Sequence, residues 1–570
     1  MTRASEATGN VAGASEATGN VTARSRRAAL AGATLLVGTL ALAACSGSAA
    51  DDIDYAVDGS LVTYNTNTVV GAASGGPQAF ARVLTGFNYH GPDGQVVGDR
   101  DFGTISVVGR APLVLDYQIN DNAVYSDGKP ITCDDMVLAW AAQSGRFPGF
   151  DAANQAGYRD VASVDCAPGQ KKARASFAQD RALVDFGQLF AATSMMPAHV
   201  IADELGLGDG GVTTALQTGD VPAIERIAAA WNTIWTLAPE LDPKKFPSSG
   251  PYKLDSMSAD GAVVLVTNDK WWGPKPVTDR ITVWPRGADI QDRLNSGAYD
   301  VVDVAAGSSG TLNLPDDYVR TDSPSAGIEQ LIFAPGGPLA DPGARRAVAL
   351  CTPRDAIARN AEVPIANTRL NPAAEDSITA AEAQPEGGRY SVANPNAARE
   401  AIGGLPLTVR IGYQRPNARL AATVGTIAKS CAAAGITVED AASETIGPQA
   451  LRDNQIDVLL ASTGGAAGSG SSGSSAIDAY DLHTGNGNNL SAYSNEQVDG
   501  VIGALAVTVD PKELARLLAE SAPVLWGDMP TLPLYRQQRT LLTSKQMFAV
   551  SSNPTRWGAG WNMDRWELKQ

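Results

Sequence analysis

The stretch from Arg24 to Cys45 fixes which part of this chain forms a globular body. It begins with three arginines, continues as the small apolar run Ala28–Ala44, and closes on Leu-Ala-Ala-Cys. This layout is typical of an export signal. Its last four residues match a bacterial lipobox, in which the Cys becomes the lipidated first residue of the mature chain. We therefore predict a signal peptide at residues 1–44, lipidation at Cys45, and an extracytoplasmic location on the cell membrane.

A short polar tether follows the signal at residues 45–51. Its small residues are typical of a flexible spacer between a membrane anchor and a folded domain. Two alternatives stay open, an ordinary cleaved signal with an incidental Cys and an uncleaved anchor. Ser25-Arg26-Arg27 also partly resembles a twin-arginine signal, so the sequence leaves the export route undecided.

The net negative charge of the chain limits the classes of molecule that it can bind. The full sequence has 570 residues and a net charge of −17, and the segment before Cys45 carries four arginines and two glutamates. The mature part is therefore even more acidic, which argues against binding nucleic acid or anionic lipid headgroups. It is also too long for a single hydrophobic core, so we expect two or more lobes.

Four cysteines remain after the signal, namely Cys133, Cys166, Cys351 and Cys431. An even number in an exported chain predicts disulfides, and three pairings are possible. We favour Cys133–Cys166 and Cys351–Cys431, because each pair then lies within one half of the chain. Free buried thiols are the alternative. A zinc site is disfavoured, since the spacings are long and no CxxC is present.

Helix-start signals recur along the chain. Thr132 with Asp135 predicts a capping box, and Asp341-Pro342 and Asp510-Pro511 predict helices with an Asp cap and Pro in the first turn. Thr352-Pro353 is interpreted in the same way. Between the helices lie short β-runs, among them Ala262–Thr267, Ile281–Trp284, Leu407–Ile411 and Ile456–Leu460. Strands interleaved with helices indicate an α/β protein.

Six motifs follow one another across residues 52–570. They are Tyr125–Val137 (YSDGKPITCDDMV), Ser249–Leu254 (SGPYKL), Asn268–Ile281 (NDKWWGPKPVTDRI), Leu294–Val301 (LNSGAYDV), Asp341–Ile357 and Asn489–Asp499 (NLSAYSNEQVD). In this order they resemble the family 5 extracellular solute-binding proteins, which deliver peptides, nickel and related ligands to ABC transporters. The fifth motif departs from the family pattern, because Cys-Thr-Pro-Arg replaces the usual A-I-D-R.

The resemblance implies an α/β, two-lobed periplasmic-binding-protein-like fold of type II, in the large peptide-binding class, with an inserted subdomain in lobe I. We expect lobe I at 52–327, lobe II at 328–528, and a return to lobe I at 529–570. The implied function is capture of an oligopeptide or related polar solute for ABC permease subunits in the membrane. The alternative is a regulatory or scaffolding lipoprotein in cell-envelope assembly. We expect a monomer without cofactor or metal.

The resemblance also directs attention to the loop after the strand Asp457–Ala461. Peptide-binding relatives carry a W-T-G-D-like tetrapeptide there, whose Asp pairs with the ligand's α-amino group. In this chain the tetrapeptide is Ser462-Thr463-Gly464-Gly465, so Gly465 stands where the Asp would be. Asp478 or Asp481 is a candidate replacement if the chain folds back.

Further candidate ligand contacts are Tyr64, Asn65 and Asn67, after the first strand, and Tyr535, near the last. Tyr and Asn there would hydrogen-bond amides or hydroxyls, and the alternative is that they are turn and core residues. The Gly/Ser-rich stretch Gly464–Ser475 contains GxGxxG but no following helix, so a flexible loop, able to act as a lid, is the better interpretation.

Enzyme motifs are missing from the sequence. Three histidines occur, His90, His199 and His483, without metal or catalytic-triad spacing. HExxH, GxSxG and Walker A are also missing, and Asp134-Asp135 reads as a helix start. We therefore expect a binding protein and not an enzyme.

Overall fold

The computed structural model describes residues 52–287, 289–370 and 385–569. The predicted signal peptide, tether and lipidation at Cys45 lie outside these residues. No helix within the described ranges is long and apolar enough to cross a membrane.

The architecture is organised around one ten-stranded mixed sheet, in the order β14-β13-β15-β12-β16-β11-β1-β10-β9-β8. The strands are β1 Asp52–Val57, β2 Asn88–His90, β3 Val96–Gly98, β4 Gly103–Arg110, β5 Leu113–Ile119, β6 Val161–Asp165, β7 Lys172–Phe177, β8 Tyr252–Met257, β9 Val263–Thr267, β10 Arg280–Trp284, β11 Val301–Ala305, β12 Tyr318–Phe333, β13 Leu407–Gly412, β14 Ile436–Asp440, β15 Val458–Ser462, β16 Thr531–Ser544, β17 Met547–Phe548 and β18 Glu567–Leu568.

Helices cover both ends of this sheet. They are α1 Val69–Ala72, α2 Gly76–Phe80, α3 Cys133–Gln143, α4 Ala198–Leu205, α5 Gly211–Thr218, α6 Val221–Thr233, α7 Ile290–Asn295, α8 Pro342–Cys351, α9 Arg354–Asn360, α10 Pro395–Ala401, α11 Ala418–Ala432, α12 Pro448–Arg452, α13 Ser475–Asp478, α14 Glu496–Leu505 and α15 Pro511–Asp528.

Two long strands, β12 and β16, connect the two ends of the sheet. They pair antiparallel along almost their whole length, and the register shifts between Pro324 and Ile328. On one side of this shift β16 pairs with β11, and on the other side β12 pairs with β15. We call the body built on β1 and β8–β11 lobe I, and the body built on β13–β15 lobe II. Few crossing strands leave the two bodies able to move as a hinge.

A subdomain is inserted between β1 and β8. Its four-stranded sheet has the order β4-β5-β7-β6. Helix α3 packs on β6 and β7, α4 and α5 pack against α3, and α6 packs against α4 and α5. Strand β5 alternates buried and half-buried residues, which is the pattern of a strand with one face on the core. Its buried residues belong to the large core cluster that also contains β1 and β9.

Most helix starts follow the sequence signals. Thr132 and Asp135 form a capping box at α3, and Asp341 and Asp510 cap α8 and α15 through their carboxylates. The prediction for Thr352 is wrong. Its hydroxyl donates to the carbonyl oxygen of Val348 at 2.7 Å, in the preceding helix, so it closes α8 and does not cap α9.

The disulfides join the pairs favoured by the sequence. Cys133 and Cys166 lie with sulfur atoms 1.96 Å apart, and Cys351 and Cys431 with sulfur atoms 1.94 Å apart. The first bridge lies in the inserted subdomain, where it ties the start of α3 to the loop after β6. The second joins the end of α8 to α11, so it ties together two helices of lobe II.

Buried ion pairs mark the region where β12 and β16 cross. Glu329 pairs with Arg419 at 2.7 Å, and Asp303 pairs with Arg539 at 2.7 Å. Burial raises the pKa of Glu329, and the positive charge of Arg419 opposes part of that rise. Removing one partner of such a pair costs about 3–5 kcal/mol, because it leaves an uncompensated buried charge.

Candidate functional site

The candidate site is a cavity of about 390 Å³ between the two lobes. Lobe I contributes the segment after β1 and the end of α6, through Ser60, Val62, Thr63, Val70, Ala73, Ser74, Asn232 and Thr236. Lobe II contributes Gln414, Leu420, Glu444, Thr445, Ile446, Gly447, Pro448, Gln449, Leu459, Leu460, Ala461, Gly465 and Ala467. This volume lies within the usual range for small-molecule sites.

Strand topology explains why these segments meet. Strand β13 pairs parallel with both β14 and β15, so the carboxyl ends of all three lie at one edge of the sheet. The loops that leave this edge are 413–417, 441–447 and 463–467, and each contributes to the cavity wall. The opposite wall follows the carboxyl end of β1. Open α/β sheets bind ligands at the carboxyl ends of their strands.

The loops after β13 and β14 were not among the sequence candidates. Two β-runs, Leu407–Ile411 and the one around Ile436, each end in turn-forming residues. The first pairs parallel with both the second and Val458–Ser462, which brings all three loops together. The motifs did not reveal this pairing, because parallel register depends on contacts between residues far apart in sequence.

Of the four residues in the aligned tetrapeptide, Gly465 alone lines the cavity. Ser462 ends β15, and its hydroxyl lies 3.3 Å from the side-chain oxygen of Gln537. Thr463 accepts a hydrogen bond from the backbone N–H of Ile328 at 3.2 Å. Both side chains therefore hold the two central strands and the turn together.

Gly465 occupies a tight position. Its φ is +76°, in the left-handed region, where a side chain is disfavoured. A Cβ there would lie 2.6 Å from Cδ1 of Leu490 and 3.3 Å from Cγ of Pro448. An Asp at this position would therefore require the end of the Leu490 side chain to shift.

Asp478 and Asp481 do not line this cavity. The Asp478 carboxylate accepts bonds from the Ser471 hydroxyl at 2.5 Å and the Ser472 backbone N–H at 2.9 Å. Asp481 accepts from the backbone N–H of Gly464 at 2.8 Å. Both line a separate void, with room for about one water molecule, and not the large cavity. A contact of either carboxylate with the solute stays a prediction.

Burial shapes the charge of this pair. Loss of solvation raises the pKa of Asp478, and it raises the pKa of Asp481 well above its usual value, with the neighbouring Asp478 adding to the rise. The buried guanidinium of Arg556 opposes both shifts. These two carboxyls therefore stabilise the Gly/Ser-rich stretch Gly464–Ser475, through their hydrogen bonds to Gly464, Ser471 and Ser472.

Tyr64, Asn65 and Asn67 lie outside the cavity lining. The Tyr64 hydroxyl lies 3.0 Å from that of Ser248, and its ring packs edge-on against Phe80 in the core. The side-chain amides of Asn65 and Asn67 each donate to a backbone carbonyl oxygen at 2.9 Å. These three residues thus stabilise the turn after β1, which agrees with the alternative interpretation as turn and core residues.

Tyr535 is also a core residue. It is buried in the hydrophobic cluster of lobe II, and its ring centre lies 5.8 Å from the guanidinium carbon of Arg419. Burial raises the pKa of its hydroxyl. It does not line the cavity, so the structure places it among the core residues of lobe II.

The Gly/Ser-rich stretch Gly464–Ser475 is mostly buried, contrary to the prediction of a flexible loop. The Ser469 hydroxyl lies 2.7 Å from that of Ser325 on β12, and the Ser474 hydroxyl bonds the carboxylate of Asp185 in the inserted subdomain. Ser469 and Ser474 therefore tie this stretch to lobe I and to its inserted subdomain. Their partners are distant in sequence, which is why composition alone indicated disorder.

The described residues contain no cluster of His, Cys, Asp or Glu that could hold a metal ion. His199 lies 2.8 Å from Asp127, and His483 stacks on Tyr480, so each has a structural partner. Neither histidine lines the cavity.

The chain is similar to a known family of bacterial proteins and to mycobacterial lipoproteins. The family model for bacterial extracellular solute-binding proteins, family 5 Middle, matches residues 111–481. An uncharacterized lipoprotein of Mycobacterium bovis is 69% identical over 541 residues, which cover 94% of this chain and 97% of that protein.

Two further relatives concern peptide binding. The oligopeptide-binding protein OppA of Mycobacterium tuberculosis is 30% identical over 284 residues, covering 48% of this chain and 42% of that protein. The structure of the oligopeptide-binding protein AppA from Bacillus subtilis, in complex with a nonapeptide, superposes with a TM-score of 0.71 at 14% identity. That superposition covers 91% of this chain and 99% of the other, and it confirms the two-lobed fold.

Proposed function

Because this chain belongs to the bacterial extracellular solute-binding proteins of family 5, we propose that it is the lipid-anchored extracytoplasmic receptor of an ABC importer. It captures an oligopeptide or a related polar solute between its lobes and presents it to membrane permease subunits. It works as a monomer and without catalysis. The cavity at the carboxyl ends of β1 and β13–β15 is the observation that carries this proposal.

The proposed lobe boundaries follow the strand register. Lobe I comprises residues 52–327, and lobe II begins at Ile328, where β12 resumes pairing after its shift. Residues Thr531–Arg536 of β16 pair with the lobe II part of β12, and Gln538–Ser544 pair with its lobe I part. This pairing favours a return to lobe I at about residue 537, later than the 529 expected from the sequence.

A cavity-filling variant tests the proposed capture. Thr445 is exposed at the cavity wall, so Thr445→Trp should fill part of the cavity without disturbing the core. Mass spectrometry of solute released from gently purified protein should detect a ligand in the parent protein and much less in this variant. Thr408→Trp, at an exposed position of β13 outside the cavity, is the control and should release the parent amount. Equal release from all three proteins would contradict the proposal.

The proposed anchor is tested separately. Close relatives are named lipoproteins, which supports lipidation at Cys45. Cys45→Ala should release the protein from the membrane or leave it uncleaved, as membrane fractionation would report. Mature protein of normal size that stays on the membrane would count against lipidation.

A second candidate function is a regulatory or scaffolding role in envelope assembly. It is favoured by one observation, the glycine at position 465, where no carboxylate is available to a free peptide. A gene for a dedicated permease beside this one would favour transport. A neighbourhood of envelope-biosynthesis genes would favour the second candidate.

A further inference from the structure

The cavity wall is aliphatic at its base. Leu459 and Ala461 of β15, Val70 of lobe I and Ile446 of lobe II all contribute to it, and the lining contains no aromatic side chain. Burial of aliphatic surface favours a solute with a hydrocarbon portion. Without an aromatic face, the wall offers no stacking platform for a ring. At about 30 Å³ per water-sized group, the cavity holds on the order of a dozen non-hydrogen atoms.

The polar lining is neutral except at one residue. Glu444 is the one charged residue in the lining, and it is exposed. Its carboxylate has no hydrogen-bond or ion-pair partner within the described ranges. Its backbone carbonyl accepts from the side-chain amide of Gln414 at 3.1 Å, which fixes the backbone at this point.

Several donors in the lining are already committed to the protein. The Ser74 hydroxyl donates to the carbonyl oxygen of Gly71 at 2.7 Å, and the Thr63 hydroxyl donates to that of Trp235 at 3.1 Å. The side-chain amide of Gln414 is committed to the backbone of Glu444. A carboxylate on the solute would therefore find no cation and few donors, and it would also be repelled by Glu444.

From this lining, and resting on the proposed function, we propose that the part of the solute held in this cavity is aliphatic and carries a positive charge but no negative charge. Its hydrocarbon portion lies against the β15 wall, and its cation lies beside Glu444. This makes Glu444 a specificity-determining residue.

Three probes of equal chain length isolate the head group: octan-1-amine, octan-1-ol and octanoate. At pH 7 their head groups are positive, neutral and negative. An exposed ion pair contributes at most about 1 kcal/mol, which is about fivefold in affinity. Calorimetry at low salt should therefore find the amine about fivefold tighter than the alcohol, and octanoate weaker than both. The preference for the amine should shrink in high salt, because the charges are exposed.

Variants at Glu444 test the assignment of the charge. Glu444→Gln should bring the amine to within about twofold of the alcohol, and Glu444→Lys should make octanoate the tighter of the two charged probes. Glu439→Gln is the matched control. It removes the same charge from an exposed position on β14 outside the cavity, and it should keep the preference of the parent protein.

Two results would overturn the proposal. One is a parent protein that binds the alcohol or octanoate as tightly as the amine. The other is a preference for the amine that survives in Glu444→Gln, since it would then come from the overall negative charge. Either result leaves the proposed function intact as long as Thr445→Trp still abolishes ligand recovery. Loss of that effect would instead count against the cavity as the capture site.

Discussion

Gly465 combines a positive φ of +76° with close contacts to the side chains of Leu490 and Pro448. The first property is available to Asp at a modest cost, since short polar residues tolerate the left-handed region. The second adds an overpacking cost, because the end of the Leu490 side chain would have to move. A carboxylate introduced at this position should therefore reduce the stability of the fold.

Gly465→Asp should reduce the free energy of unfolding by about 2–4 kcal/mol, from left-handed strain and overpacking together. Gly404→Asp is the control, since Gly404 has a φ of +74° and nothing within 4 Å of an added Cβ. It should lose only about 1 kcal/mol. Urea unfolding measures the free energy of unfolding of both variants. Equal decreases in the two would show that the Leu490 side chain moves aside at little cost.

Free dipeptides should bind weakly to the parent protein. Gly465 provides no carboxylate, and Asp478 and Asp481 are committed to the loop that they hold. The exposed Glu444 adds at most about 1 kcal/mol to the binding of an amine. We expect dissociation constants weaker than about 100 μM, which corresponds to less than about 5.5 kcal/mol. Calorimetry with a dipeptide library measures this. Micromolar binding that requires the free amino group would show that another anchor exists.

The sequence indicated where polar residues lie near strand ends, but it did not indicate which of them are free to bind solute. Asn65 and Asn67 are polar residues near a strand end, but their amides are consumed by backbone carbonyls. Glu444, which lines the cavity, gave no signal in its own sequence context. A side chain can bind solute only if its hydrogen-bonding groups are not already bonded to the protein. For the two asparagines the bonded carbonyls lie 126 or more residues away in sequence, so the sequence did not reveal them.

At the scale of elements, local capping residues predicted the helix starts correctly, whereas amino-acid composition did not predict the burial of the Gly/Ser-rich stretch. The caps at Thr132, Asp341 and Asp510 depend on residues two or three positions away, so the sequence contains all that is needed. The Gly/Ser-rich stretch depends on Ser325 and Asp185, on other elements. Its burial was therefore not predictable from its own residues.

The two disulfides should stabilise the chain to different extents. They close loops of 33 and 80 residues. In the loop-entropy model they contribute roughly 3.7 and 4.5 kcal/mol respectively. The pair Cys351→Ser and Cys431→Ser should therefore lower the thermal midpoint at least as much as Cys133→Ser and Cys166→Ser, when unfolding is followed by circular dichroism. Midpoints that do not change in either pair would show that the bridges add no stability.

At the scale of the whole molecule, the order of six motifs was sufficient to predict the family and the two-lobed fold. Both are confirmed by the family match and by the superposition with AppA. The site was less predictable, since the motifs mark turns and core anchors and not the cavity wall. The loops around Glu444 and Gly465 meet only because β13, β14 and β15 run parallel.

Hydrogen–deuterium exchange tests most directly the claim that a solute is captured between the lobes. Adding the solute recovered from the protein should slow exchange in both walls at once, in residues 60–74 of lobe I and 444–465 of lobe II. The same addition should leave Thr445→Trp unchanged. Protection confined to one wall, or found instead near His199 in the inserted subdomain, would contradict capture between the lobes.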